Sequence, residues 1–315
     1  MQSRRNFLTM AAAQSLLAAD GTLPHFTPKA KRVIYMFMYG GPSQIDLFDY
    51  KPRLAELHKT ELPASIRMGQ RLTAMTATQT KFPVAKSIYE FKQHGQSGAW
   101  LSSLLPHTAK VADKLCFIKS MHGSNSRHGG ALLELHTGSD TFIRPSMGSW
   151  IAYGLGTENR DMPGFVTLCP SLSHGGVNNW SSAFLPAVFQ GTPLGTSSTP
   201  AEKVAIPFIS GSTPRAAQRQ VIDYLQELNQ ASLEASGPDQ ALEGRIESFE
   251  LAFRMQAAAP ELQDISDESE ATTHMYGLDR PETRNFGRLC LMARRFAEKG
   301  VRFIQVSHSY KWDQH

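Results

Sequence analysis

Six consecutive apolar residues, Val33-Ile34-Tyr35-Met36-Phe37-Met38, run almost directly into Gly40-Gly41-Pro42. A strand with one wetted face alternates polar and apolar residues, so an unbroken apolar run of this length reads as a strand covered on both faces. That is the condition of a parallel sheet, whose strands need long crossovers between them, usually helices. The sequence supplies them. From Phe286 onward, Leu289, Cys290, Ala293, Phe296 and Ala297 fall on one helical face, Gly300 supplies the stop, and residues 301–306 read as a strand. Residues 104–114 have helical spacing and lead into a second short strand at 115–118, and residues 164–168 before Pro170 form a third. The alternation predicts an α/β fold, a three-layer αβα arrangement around a mainly parallel sheet. Residues 218–259 read as two helices split by Gly237-Pro238, and an acidic stretch at 261–270 is expected to be a solvated loop. The expected organisation is one domain over 31–315 with a helical insertion at about 215–280.

Composition narrows the class of function. The chain has 315 residues, 41% hydrophobic and 19% charged, enough to bury a substantial core. A formal charge of +4, with Lys and Arg scattered rather than striped, argues against a nucleic-acid partner. Cys116, Cys169 and Cys290 lie far apart in apolar stretches without zinc-ribbon spacing; buried free thiols are the preferred reading, with one disulfide and one leftover thiol as the alternative in an exported chain. At the start, Ser3-Arg4-Arg5-Asn6-Phe7-Leu8 and the mild apolar run at 9–19 look like a twin-arginine signal. With its linker this signal accounts for residues 1–30 and implies passage through the twin-arginine export machinery to the periplasm or beyond. The run is shorter than the roughly 18 apolar residues that cross a bilayer, so no stable transmembrane segment is expected.

In an open parallel sheet, ligands collect beyond the carboxyl ends of the strands. Three polar stretches fall there. After the first strand, Gly40-Gly41 allows a sharp turn and Asp46 and Asp49 follow. The second is His122-Gly123-Ser124-Asn125-Ser126-Arg127-His128-Gly129-Gly130, then His136. A helix opening at Gly129 or Gly130 would aim its amide groups and positive dipole end at an anion such as phosphate or sulfate, and a serine there is a candidate nucleophile. Third, Asp313 and His315 follow the last strand, a mixed oxygen and nitrogen pair suited to a divalent metal.

Residues 32–52 with Gly40-Gly41-Pro42-Ser43-Gln44-Ile45-Asp46-Leu47-Phe48-Asp49, then His128-Gly129-Gly130-Ala131 to His136-Thr137-Gly138, Arg144-Pro145-Ser146-Met147-Gly148, and Ala293-Arg294-Arg295 to Trp312-Asp313-Gln314-His315, together resemble an exported family called domain of unknown function 1501. That family is grouped with the alkaline phosphatase and sulfatase superfamily of metalloenzymes. The resemblance implies a hydrolase that binds divalent metal (Zn, Mg, Mn or Ca) and acts on phosphate or sulfate esters of small molecules or polysaccharides. Asp46, Asp313 and His315 match the metal ligands, with Ser124, Arg127 and His128 as catalytic residues. Counting back four from His128, as in the phosphoglycerate mutase branch, selects Ser124, although Ser126 stands beside Asn125. The chain departs from the superfamily at Tyr39-Gly40-Gly41, where an Asp is usual, and in its Asp-x-His spacing. It also lacks the sulfatase signature around Cys169, so formylglycine chemistry is not expected. The resemblance further implies strands beyond His315 that carry the remaining ligands, without which the chain is expected to be inactive. The rival reading is an exported binding or structural protein that keeps the fold without turnover.

Overall fold

The fold comes from a computed structural model that describes residues 27–70, 72, 76–205, 214–237, 239–258, 260–308 and 312. Its strands are β1 (Val33–Met38), β2 (Phe91–His94), β3 (Ala99–Ser102), β4 (Phe165–Leu168), β5 (Thr192–Leu194) and β6 (Phe303–His308). The main sheet runs β1-β6-β4-β5, with every neighbouring pair parallel; β2 and β3 form a separate antiparallel hairpin. The longer helices are α1 (His128–Thr137), α2 (Met147–Leu155), α3 (Arg215–Ser236), α4 (Gln240–Ala258) and α5 (Pro281–Glu298). Among the described residues no helix is long and apolar enough to cross a membrane. This is a mixed α/β chain around a mainly parallel sheet.

Strand register decides which side chains share a face. Phe303 lies opposite Val33 and Phe165, and Gln305 opposite Tyr35 and Thr167; Ile304 and Val306, one residue out of phase, point the other way beside Val166 and Leu168. On the second face, Leu289, Met292, Ala293 and Phe296 of α5 close over Val166, Leu168, Leu194, Ile304 and Val306. The stripe read from the sequence is therefore the surface that builds the larger core. On the first face, Ala152 of α2 joins Phe165, Phe303 and Trp180 in a smaller cluster.

β1 departs from the expectation of a strand covered on both faces. It is an edge strand, and Ile34, Met36 and Met38 stand open, Met36 by 52%. The core under α5 draws buried side chains from β4, β5 and β6 and from no β1 residue. An apolar run reports what a strand could bury, not how many neighbours it has.

Residues 115–118 do not form the expected strand: they pair with no other described strand, Cys116 is exposed, and Phe117 leans on Phe48 at 5.8 Å between ring centroids. Leu115 does take an extended backbone, but extended residues become a strand only when a partner accepts their ladder bonds. The spacing at 104–114 is realised only as a helical turn at Pro106–Ala109 and a 3-10 turn at Ala112–Lys114. All three cysteines are free; only Cys169 is buried as expected, Cys290 being half-buried and Cys116 exposed. Burial raises the Cys169 thiol to about 11 and the Cys290 thiol to about 12.

Helices α3 and α4 flank Gly237 and are tied by Arg219, which donates to both Glu250 carboxylate oxygens at 2.9 and 2.7 Å. Arg215 and Arg219 also lie over the Phe253 ring at 4.8 and 4.9 Å. Over 264–269 the acidic stretch is largely the exposed loop expected, but it is anchored at one point. Glu268 is held in a largely buried position by Arg294 and, at 2.7 Å, by Arg295, while Asp267 receives a second Arg295 contact at 2.8 Å. A cavity of about 600 Å3 lies beside this network. It sits at the end of α5 that feeds the start of β6, away from the strands' carboxyl ends.

The turn before α5 folds back so closely that a Cβ at Gly287 would overlap the carbonyl oxygen of Tyr276. Because the obstacle is backbone, Gly287→Ala is expected to lower stability by about 2 kcal/mol. A urea titration checks this, and an unchanged midpoint would show that the turn yields freely.

Candidate functional site at the carboxyl rim of the sheet

Helix α1 is antiparallel to β1, and its contacts fix where its first turn lies. Near its end, the buried His136 stands edge-on to Tyr35 at 5.6 Å and to Phe37 at 4.7 Å between ring centroids. At its start, His128 lies 5.5 Å from His174, which in turn lies 6.3 Å from Tyr39. Tyr39 follows β1 and His174 follows β4, so three segments meet beyond the carboxyl ends of parallel strands. The Tyr39 hydroxyl reaches Ser173 at 3.3 Å, and Asn179 donates to the His174 carbonyl at 3.2 Å. These contacts hold His174 in the left-handed region, with φ of 51°, a conformation that costs a non-glycine residue about 1 kcal/mol or more.

The loop entering α1 is braced from within. Asn125 donates to Asp140 at 3.0 Å and accepts from the Arg127 amide at 2.9 Å. Its side chain occupies the space a Cβ at Gly130 would need. The Asn125 contact, followed by that of Thr141, holds the half-buried Asp140 carboxyl below the usual carboxylate range. Helix α1 begins at His128, one residue before the expected start, with the Arg127 backbone extended at its cap. Its first amides have no intrahelical acceptor, as at any helix start. Ser124 is exposed; its amide donates to the Glu134 carboxylate at 2.9 and 3.1 Å and its hydroxyl at 3.0 Å. Arg127 is exposed at the same turn and forms no salt bridge among the described residues.

The family model described as "Protein of unknown function (DUF1501)" matches residues 30–315. The chain belongs to that family. No curated protein and no solved structure matches it significantly.

Of the six site residues read from the sequence of this DUF1501 protein, Ser124, Arg127 and His128 lie together on the turn entering α1, and Asp46 sits in a separate turn, Gln44–Leu47. The Asp46 carboxylate accepts the Ser43 hydroxyl at 2.7 Å. Asp313 and His315 fall outside the described residues, as does the twin-arginine segment. Among the described residues, no three His, Cys, Asp or Glu side chains gather closely enough to hold a metal ion.

Three residues that the structure brings to this candidate site escaped the sequence reading of the DUF1501 chain: Tyr39, Glu134 and His174. For His174 a signal existed, because His174-Gly175-Gly176, shortly after the strand read at 164–168, repeats the His128-Gly129-Gly130 tripeptide. Glu134 carried no such mark, being one acidic residue on a helix face.

Proposed function

We propose that this protein is an exported, metal-dependent hydrolase of phosphate or sulfate esters, built on a three-layer alkaline-phosphatase-like α/β fold. The observation that carries this reading is the 3.0 Å contact from the Ser124 hydroxyl to Glu134, on the turn leading into α1 at the rim of a parallel sheet. A nucleophile beside a carboxylate that can take its proton, next to a helix start that favours anions, is the arrangement acyl and phosphoryl transfer require.

In this reading Ser124 Oγ attacks the phosphorus or sulfur, Glu134 receives the hydroxyl proton, and the ester's alkoxide leaves. Water then releases the group from the serine. Arg127 and the first amides of α1 steady the charge on the non-bridging oxygens. A bound divalent metal would polarise the ester oxygen. The sequence offers Asp46, Asp313 and His315 to hold it, and the Asp46 carboxylate, shared with the Ser43 hydroxyl, retains lone pairs for a cation. The two arginines near the amino terminus support export by the twin-arginine route.

Aryl phosphate and aryl sulfate turnover by the full protein tests the reading. Ser124→Ala is expected to lower the rate by about 100-fold, and Glu134→Gln to lower it as well. Activity unchanged by Ser124→Ala would remove this serine from the chemistry. A wild-type protein that binds sulfate or phosphate yet cleaves neither ester would favour the rival, a binding protein on the same fold.

A further inference from the structure

We propose that the open edge of β1 is a dimerisation surface, where β1 of a second copy of this chain adds in the antiparallel sense and the two four-stranded sheets become one.

β1 has a strand on one side only, β6, in an unbroken parallel register from Val33 with Phe303 to Met38 with His308. The Val33 amide donates to the Arg302 carbonyl at 2.9 Å. Because backbone groups alternate sides along a strand, Val33, Tyr35 and Phe37 serve β6, and the amides and carbonyls of Ile34, Met36 and Met38 point to the open edge. The Gly41 amide donates to the Met38 carbonyl at 3.5 Å, and no described strand lies beyond Ile34 and Met36.

The edge also lacks the usual guards. Proteins that keep an edge strand single protect it with a proline, a charge, a bulge or a very short strand. Residues 33–38 hold no Pro, Gly or charged side chain, run six residues without a bulge, and expose Ile34, Met36 and Met38 along one face. A strand of this kind is a template for another.

Charge names the occupant. Lys29 and Lys31 are exposed just before β1, and Asp46 and Asp49 follow it, beyond Gly40-Gly41. Against an antiparallel copy of itself, each basic start lies beside the other's acidic turn, whereas a parallel copy would set like charges together. A twofold axis at Met36 gives this arrangement, with Met36 opposite its own mate and Ile34 opposite Met38 of the other copy. These side chains then shield one another on the shared face, where methionine fills gaps readily. The two carboxyl rims end up at opposite ends of the joined sheet, so both candidate sites stay open.

The test measures the mass of the full protein by light scattering over a dilution series. Two chains per particle are expected, giving way to one on dilution. Met36→Lys sets two ammonium groups against each other on the axis, and Ile34→Lys puts one against Met38. Each should weaken the dimer at least tenfold, and Lys31→Glu should weaken it too. Ile34 and Met36 are exposed, so circular dichroism should stay unchanged; if one variant fails to fold, the other decides. Hydrogen exchange should show the Ile34 and Met36 amides protected in the dimer and open in the variants. A single-chain mass at every concentration overturns the inference, and amides protected even so would assign the edge to another segment of the same polypeptide. A dimer whose affinity both lysine variants leave unchanged overturns it as well, by placing the interface elsewhere. Ester turnover is read in none of these measurements, so the hydrolase reading stands or falls separately.

Discussion

Phe165→Ala is expected to remove about 3–5 kcal/mol of folding free energy, a large share of what a domain possesses. Phe165 is 1% exposed on β4, and its ring meets Phe303 edge-on at 5.1 Å. Two glycines also lie against it. A Cβ on Gly148 of α2 would come within 2.6 Å of the ring, and one on Gly191, just before β5, within 2.7 Å. The ring thus fills a slot that two missing side chains leave for it. Truncation opens a cavity between α2 and the sheet that backbone cannot close without moving the helix. Urea unfolding measures the loss, and Phe165→Leu should recover most of it. A loss below about 1 kcal/mol would mean that α2 collapses onto the sheet.

Acidification is expected to cost the protein about 2 kcal/mol between pH 7 and pH 5, and about 3 kcal/mol by pH 4, through His136 alone. Burial pushes this imidazole down to about 4, from an ordinary value of 6.5. Its ring neighbours are Tyr35 and Phe37, and burial also raises the Tyr35 phenol. The Tyr35 hydroxyl is itself buried without a hydrogen-bond partner among the described residues. Because the folded-state pKa is depressed, the unfolded chain binds the proton first. Stability is therefore full above pH 6.5 and falls as pH drops toward 4. His136→Phe keeps the edge-on ring contacts and removes the proton site, so its stability should lose this share of the pH dependence. Thermal unfolding at pH 7 and pH 5 decides it: parallel losses in wild type and variant would place the acid sensitivity elsewhere.

The elements that the sequence revealed are those whose signal is local. The β1 run, the apolar stripe of α5, the Gly300 stop and the strand after it can be read residue by residue, because burial on a helix or a strand repeats with the element's own period. Strand β6 begins two residues later than expected, at Phe303, and β4 at Phe165. Strand β5 holds three residues, one of them Pro193, and carries too little pattern to be noticed. Residues 115–118 misled for the converse reason: Leu-Cys-Phe-Ile satisfies the strand pattern, but pairing depends on what lies alongside.

The same division holds for the site. Sequence placed Ser124, Arg127 and His128 in a glycine-rich turn at a helix start, because glycine and polar clustering mark such turns. It also named Asp46, from the turn after β1. It could not pair Ser124 with Glu134, ten residues away on the helix, or His128 with His174, which meets it across more than forty residues of chain. The sequence by itself determined the class of fold, the α5–β6 unit and the polar turn before α1. Only tertiary structure decided that β1 lies at an edge, that Glu268 is clamped by arginines, and that Tyr39, His128 and His174 share a rim. The physical reason is that periodicity and turn chemistry are properties of neighbouring residues, whereas a site is made by strand order, which brings distant loops to one end of a sheet.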